Sequence, residues 1–229
     1  MAWSSHGSNN EEMVHNLKNN EIIKLDKTFQ AMLNVDRKLF APRCHYIDSP
    51  QSINFNATIS APHMHAFALD LLVPYLQIGS RVLDVGCGSG YLLACLAMIV
   101  LETGSVVGIE HIKELAKLSE NNVKAWLESS ENYKKFSGTI KIIEGDGRQG
   151  YPELAPFDAI HVGAAADPIP QALIDQLSPN GVLISPEGPR DGVQQLIQIT
   201  KKPNGEIVRK SLMGVRYVPL TDKDKQIDF

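Results

Sequence analysis

Val82-Leu83-Asp84-Val85-Gly86-Cys87-Gly88-Ser89-Gly90 decides how this chain is read. An apolar strand with one acid near its end runs into glycines at 86, 88 and 90, and these lead straight into the apolar stretch Tyr91 to Val100. A strand–turn–helix passage of this kind brings backbone close to a ligand at the carboxyl edge of an open α/β sheet. A dinucleotide fingerprint would place Gly or Ala three residues after Gly88, and Tyr91 stands there instead. Asp84, aimed into the turn, would repel a pyrophosphate and suits a cationic ligand with an amino-acid head.

Working outward, Arg81–Val85, Ser105–Ile109, Thr139–Ile143, Phe157–Val162 and Val182–Ser185 read as five buried strands. Helices are expected over Tyr91–Val100, His111–Leu127 and Pro170–Leu177, the last closed by a turn at Pro179-Asn180-Gly181. Apolar strands alternating with helices imply βαβ units and a mainly parallel, doubly wound sheet covered on both faces. Before this core, residues 1–9 read as a loose polar tail, Glu11–Lys18 as a helix, and Asp26 as the cap of a second helix carrying Phe29, Met32 and Leu33 inward. Residues 43–60 read as a loop with short extended pieces, long enough to belong over a site. Ala61-Pro62 opens a helix that Pro74 ends. After the core, Leu196–Ile199, Glu206–Val208 and Val215–Val218 alternate as antiparallel strands, with a hairpin turn at Pro203-Asn204-Gly205. The expected architecture is one α/β domain over 1–229. N-terminal helices and a loop occupy 1–79, a Rossmann-like core 80–188, and C-terminal antiparallel strands with a tail 189–229.

Composition narrows the partners. With 22 Lys plus Arg against 26 Asp plus Glu, the net charge is −4, and no basic excess exists to neutralise a nucleic acid. The three cysteines are an odd number without metal-ligand spacing, and Met1–Asn20 lacks an apolar signal core. The longest apolar run, Leu92–Leu101, is too short to span a membrane. The expectation is a monomeric cytoplasmic protein with neither nucleic-acid nor membrane partner. His63 and His65, two apart on a helix, diverge by ~200°, so no metal is expected there. Ser89 between glycines resembles a nucleophile elbow, but that pattern needs Gly where Cys87 stands.

The Gly86–Gly90 motif resembles the first motif of class I S-adenosylmethionine-dependent methyltransferases. Glu110, ending the second strand 20 residues after Gly90, is placed to accept ribose hydroxyls, and Gly145-Asp146 follows the third strand, where such enzymes set an acid against the adenine amino group. The resemblance narrows at Pro50-Gln51-Ser52, Ala57–His65, Gly145-Asp146-Gly147, Phe157–Ala165 and Met213–Thr221, which together are similar to the protein-L-isoaspartate (D-aspartate) O-methyltransferase family across nearly the whole chain. The resemblance implies S-adenosyl-L-methionine as cofactor, S-adenosyl-L-homocysteine as product, and isoaspartyl-containing proteins and peptides as partners. It implies methyl transfer to the free α-carboxylate of L-isoaspartyl residues, with D-aspartyl residues as a further acceptor. Ser60 would orient that carboxylate. Cofactor contacts would come from Ala57, Thr58, Ile59, Ser60, His65, Asp84, Gly86, Gly88, Ser89, Glu110, His111, Gly145 and Asp146, with Thr221 and Gln226 closing over the site.

Spacing alone favours Ser60 as the N-cap of the helix opening at Pro62, a reading that the family resemblance reverses, and His161 reads as well as a structural histidine at the end of an apolar strand. Two departures from the family stand out: Cys87 replaces a small hydroxyl residue, and Glu187 brings a negative charge near a carboxylate substrate. Three other readings stay open at this stage: a methyltransferase of a small carboxylic acid, a catalytically idle cofactor- or isoaspartyl-binding sensor, and a nicotinamide dehydrogenase.

Overall fold

In the computed structural model, which describes residues 5–100, 103–129 and 138–227, the apolar strand runs assemble into one side of a seven-stranded sheet. In chain order the helices are α1 (Asn10–Asn19), α2 (Asp26–Asn34), α3 (Pro62–Leu72), α4 (Tyr91–Val100), α5 (Lys113–Ser129), α6 (Gln171–Asp175) and α7 (Lys223–Ile227). The strands are β1 (Gln51–Ser52), β2 (Thr58–Ile59), β3 (Arg81–Val85), β4 (Ser105–Glu110), β5 (Thr139–Glu144), β6 (Phe157–Val162), β7 (Leu177–Glu187), β8 (Gln194–Lys201) and β9 (Ile207–Val215). The large sheet has the order β5-β4-β3-β6-β7-β8-β9, parallel from β5 to β7 and antiparallel from β7 to β9. This is the doubly wound Rossmann-like sheet with an antiparallel extension. From β3 the chain builds outward to β5, then returns to β6 on the other side. The crevice beyond the carboxyl ends of β3 and β6 is therefore the topological switch point, where ligands bind in such sheets.

Why these elements form is visible in their burial. All of α4 except Met98 is buried, because it lies between the sheet and α2 and α5, so an apolar stripe alone would not have sufficed. Trp126 of α5 is 1% exposed and donates its indole N–H to Asn34 O at the end of α2. One apolar cluster runs from Met13 and Met32 through Leu69 and Leu93 to Ile184 and Leu196, joining the N-terminal helices to the sheet.

Several expectations are corrected. Met1–Ser4 lie outside the described residues, and 5–9 are not loose: Gly7 N donates to Tyr46 O at 3.1 Å, Ser5 is buried, and Asn9 caps α1 by accepting from Glu12 N. Asp26 is the first residue of α2 rather than its cap, which is Leu25 without a side-chain bond. The helix expected from His111 starts at Lys113, because Glu110 takes the amide of Ile112 for its own carboxylate. Pro179-Asn180-Gly181 does not close a helix. It lies within β7 as an irregularity against β6, with Asn180 at φ 65, and the strand pairs on both sides of it. In place of the expected strands Glu206–Val208 and Val215–Val218 there is one strand, β9, paired to β8 from Ile207 to Val215 beyond the Lys202–Glu206 turn, and residues 216–218 lie past its end outside the ladder.

Candidate functional site

The site grows from the turn after β3. Gly86, Gly88 and Gly90 have φ of 75, 52 and 83, the left-handed region that favours glycine. Gly90 is needed twice over, since a Cβ there would also meet Ser119 Oγ of α5 at 2.5 Å. The turn is clamped to β4, with Gly86 N and Cys87 N both donating to Ile109 O at 2.8 and 3.1 Å. Gly88 N donates to Glu110 Oε2 at 3.2 Å, and Ile112 N to Oε1 at 3.0 Å. Glu110 is 5% exposed, and burial raises its carboxyl above the ordinary range, opposed by these two amides. Its carboxylate is thus held rigidly at the strand end with lone pairs left for a ligand.

Two narrow cavities and one open cleft meet here. The first cavity is lined by Gly86, Gly88, Glu110, His111, Asp146 and Thr221, among others. The second runs between Ser60, His65, Asp84, Ser89 and His161. The cleft, about 680 Å³, lies between the β2–α3 passage and the end of β9 with the residues that follow it, and includes His63, Met213, Arg216 and Tyr217. Thr58 lines all three, and Ser60 lines both the cleft and the second cavity. A group lying in the cleft and one lying in the cavities therefore face each other at Thr58 and Ser60.

The remaining sequence-selected residues fall around this junction. Ala57 and Thr58 border the first cavity, and Ile59 lines the second while remaining buried in β2. Gly145 lies farther out, in an open pocket beside Asp146 and Asp222. Gln226 of α7 accepts from His111 Nε2 at 2.7 Å and donates to Phe55 O at 2.9 Å, so the tail bridges both walls. Ser60 does not cap α3: the cap is Ala61, without a side-chain bond. Its side chain lies in the cleft wall with Tyr217, whose phenol burial pushes up to about 12, opposed by Ser60.

The two departures are accommodated. Cys87 Sγ turns toward Ser119 Oγ at 3.7 Å, and burial, with Asp84 and Glu110 near, pushes its thiol well up, leaving it a protonated packing group. Glu187 lies outside the cavities and the cleft, pairs with Arg209, and accepts from Ile169 N, so its charge is neutralised.

Several residues at the junction were not selected from sequence. Arg148 bonds Asp146 through Nε and also Asp222 at 2.7 Å. Gln194, 3% exposed, accepts from Tyr217 N at 2.7 Å and fixes that segment. Asp48, with a fully buried side chain, accepts from His63 N and His63 Nδ1 at 3.0 and 2.7 Å. Arg37, fully buried, reaches Ser60 O and His65. Only Arg148 carried a local signal, its place directly after Gly145-Asp146-Gly147. Among the described residues no cluster of three His, Cys, Asp or Glu is placed to hold a metal, and no helix is long and apolar enough to cross a membrane.

The arrangement fits a ligand with a ribose and an amino-acid end. A rigid buried carboxylate stands at one strand end, and a buried carboxylate with two histidines lines the adjoining cavity. Comparison with known proteins agrees. The family model for protein-L-isoaspartate(D-aspartate) O-methyltransferase matches residues 8–225. A Caenorhabditis elegans protein-L-isoaspartate O-methyltransferase is 50% identical over 99% of this chain and 98% of its own. An Arabidopsis thaliana protein-L-isoaspartate O-methyltransferase 1 is 47% identical over 98% and 97%. A Plasmodium falciparum beta-aspartate methyltransferase, crystallised with S-adenosyl-L-homocysteine, superposes with a TM-score of 0.82 at 39% identity, covering 94% of this chain and 99% of that one.

Proposed function

The chain belongs to the protein-L-isoaspartate(D-aspartate) O-methyltransferase family, and from that premise we propose how its residues divide the reaction. It is an S-adenosyl-L-methionine-dependent protein repair methyltransferase that methylates isoaspartyl residues of proteins and peptides. The observation that carries the assignment of parts is the sharing of Thr58 and Ser60 between the open cleft and the narrow cavities.

In this reading Glu110 would hold the cofactor's ribose and Asp146 its adenine, with Gly145, His111, Thr221 and Gln226 around them. Asp84, Ser89 and His65 would hold the cofactor's amino-acid head, together with Gly86, Gly88 and the backbone of Ala57, Thr58 and Ile59. Bound there, S-adenosyl-L-methionine supplies a methyl group on a sulfonium leaving group. The acceptor is a carboxylate with pKa ~4, ionised at neutral pH, so no residue need remove a proton. The chain's work is alignment and exclusion of water. Ser60, beside Tyr217 in the cleft wall, donates its hydroxyl to the incoming α-carboxylate and turns one oxygen toward the methyl. The damaged peptide lies along the cleft past Met213 and Tyr217. D-aspartyl residues are the further acceptor to test.

We also infer one functional unit over 1–229, acting as a monomer in the cytoplasm without nucleic-acid or membrane partners. The net charge of −4 and the three free cysteines support this.

The test is transfer of labelled methyl from S-adenosyl-L-methionine to two peptides identical except for an isoaspartyl or aspartyl linkage. Base-labile label on the isoaspartyl peptide alone is the expected result. Label on neither, with cofactor bound, would return the assignment to a small-molecule acid or a sensor.

A further inference from the structure

Arg37 is anomalous. It sits on a single helical turn, Arg37–Leu39, between α2 and the β1–β2 hairpin, is 0% exposed, and among the described residues no carboxylate lies within ion-pair distance of it. A buried guanidinium without a counter-ion is costly unless its N–H groups are satisfied. Here NH2 donates to Ser60 O at 2.8 Å, NH1 lies 3.2 Å from His65 Nδ1, and the guanidinium carbon stands 5.2 Å from the centre of the Tyr91 ring. Only Nε is left without a partner. The turn is anchored from the other side, where Asn10 Oδ1 accepts from Arg37 N at 3.2 Å.

The chemistry of the donor decides the state of the acceptor. A guanidinium has donors only, so His65 Nδ1 must accept, and the single ring proton is placed on Nε2. His65 lines the same cavity as Asp84 and Ser89. One buried cation therefore touches both sides of the transfer site: the backbone that presents the Ser60 hydroxyl, and the histidine on the cofactor side.

We propose that Arg37 is a positioning residue for methyl transfer, fixing the Ser60 backbone and holding His65 as a neutral Nε2–H donor toward the anionic end of an amino-acid ligand. This rests on the parts given above to Ser60 and His65. The charges around His65 agree in direction. Burial lowers its pKa well below the ordinary value, and Arg37, His161 of β6 and His63 on its own helix push the same way. Tyr91 of α4 packs against the ring at 5.0 Å, and Asp84 of β3 lines the same cavity. Beyond ion-pair distance, the buried carboxylate of Asp48 still acts on Arg37 and offsets part of the cost of burying its charge.

The test uses the full chain with R37M and R37K, with H65Q to assign the signal. It reads the His65 ring nitrogens by NMR between about pH 5.5 and 8, binding of S-adenosyl-L-homocysteine by calorimetry, and kcat and KM on an isoaspartyl peptide. In the wild type the ring stays neutral and Nε2-protonated throughout. In R37M it titrates or shifts its proton toward Nδ1, and kcat falls about tenfold. R37K, with one point donor for two acceptors, lowers kcat less and gives a mixed tautomer. It decides the matter if R37M does not fold. An unchanged His65 spectrum with kcat within about twofold of wild type in the folded variant would overturn the proposal. A wild type inactive on isoaspartyl peptide would strike the substrate assignment instead, while the ring spectra would still decide the part of Arg37.

Discussion

Asp84 and His161 face each other in the parallel register of β3 and β6, and His161 Nδ1 donates to Asp84 Oδ1 at 2.7 Å. Both are nearly buried, at 2% and 7% exposure, and both line the cavity assigned to the amino-acid head. The histidine aims one carboxylate oxygen and leaves the other for a ligand ammonium. His161→Ala should therefore cost about 1–3 kcal/mol of folding stability and weaken S-adenosyl-L-homocysteine binding together. Chemical unfolding and calorimetry check it, and an unaltered affinity would leave His161 as packing alone.

Ser60→Ala tests the acceptor side. A hydrogen bond to a carboxylate contributes about 1.5–3 kcal/mol, so kcat should fall roughly 10- to 150-fold. Because the cofactor contacts given to this segment are backbone ones, S-adenosyl-L-homocysteine affinity should change little, and since Ser60 caps no helix the fold should be unaffected. Unchanged turnover in steady-state assays would remove Ser60 from the chemistry.

His65 sets a pH dependence with a definite sign. Burial first, then the charge of Arg37, depresses its folded pKa below the ordinary 6.5. As pH falls through about 6.5 the unfolded chain takes up a proton that the folded one does not. Stability is therefore lost from there downward until the folded pKa is reached. The slope this residue adds is about 1.4 kcal/mol per pH unit. Urea titrations of wild type and His65→Gln between about pH 5 and 7 should differ by one proton's slope, and parallel curves would contradict the assignment.

Arg148 straps the tail to the floor of the site through Asp146 and Asp222, with all three side chains at least a third exposed. Exposed pairs contribute little to stability, about 0–1 kcal/mol. Arg148→Ala should leave the melting temperature within a few degrees while raising KM for S-adenosyl-L-methionine, with a weaker salt dependence than wild type. Equal KM values at low salt would sink the strap.

The central strands and α4 were legible because they obey local rules: buried parallel strands are continuous apolar runs, and glycines mark the turn where L side chains would strain. Gly86–Gly90, Glu110 and Asp146 could be chosen for the same reason, each lying at a strand end that periodicity locates. Pro179-Asn180-Gly181 misled because turn chemistry reads identically in a loop and in an irregularity of a long strand. Only pairing of β7 with β6 on both sides and with β8 separates the two. A capping role for Ser60 follows from its spacing ahead of Pro62, but the helix is capped at Ala61 and Ser60 lies in the cleft wall with Tyr217.

By itself, then, the chain's sequence determined the sheet core, the switch-point turn and the family, since these depend on spacings of a few residues repeated along the chain. Tertiary structure alone decided the partnerships across the site: Asp84 with His161 over 77 positions, Arg37 with His65 over 28, Gln226 with Phe55 over 171. Those partners carry no local mark, because a side chain's hydrogen-bond state is set by what the fold packs beside it and by how much water the packing removes.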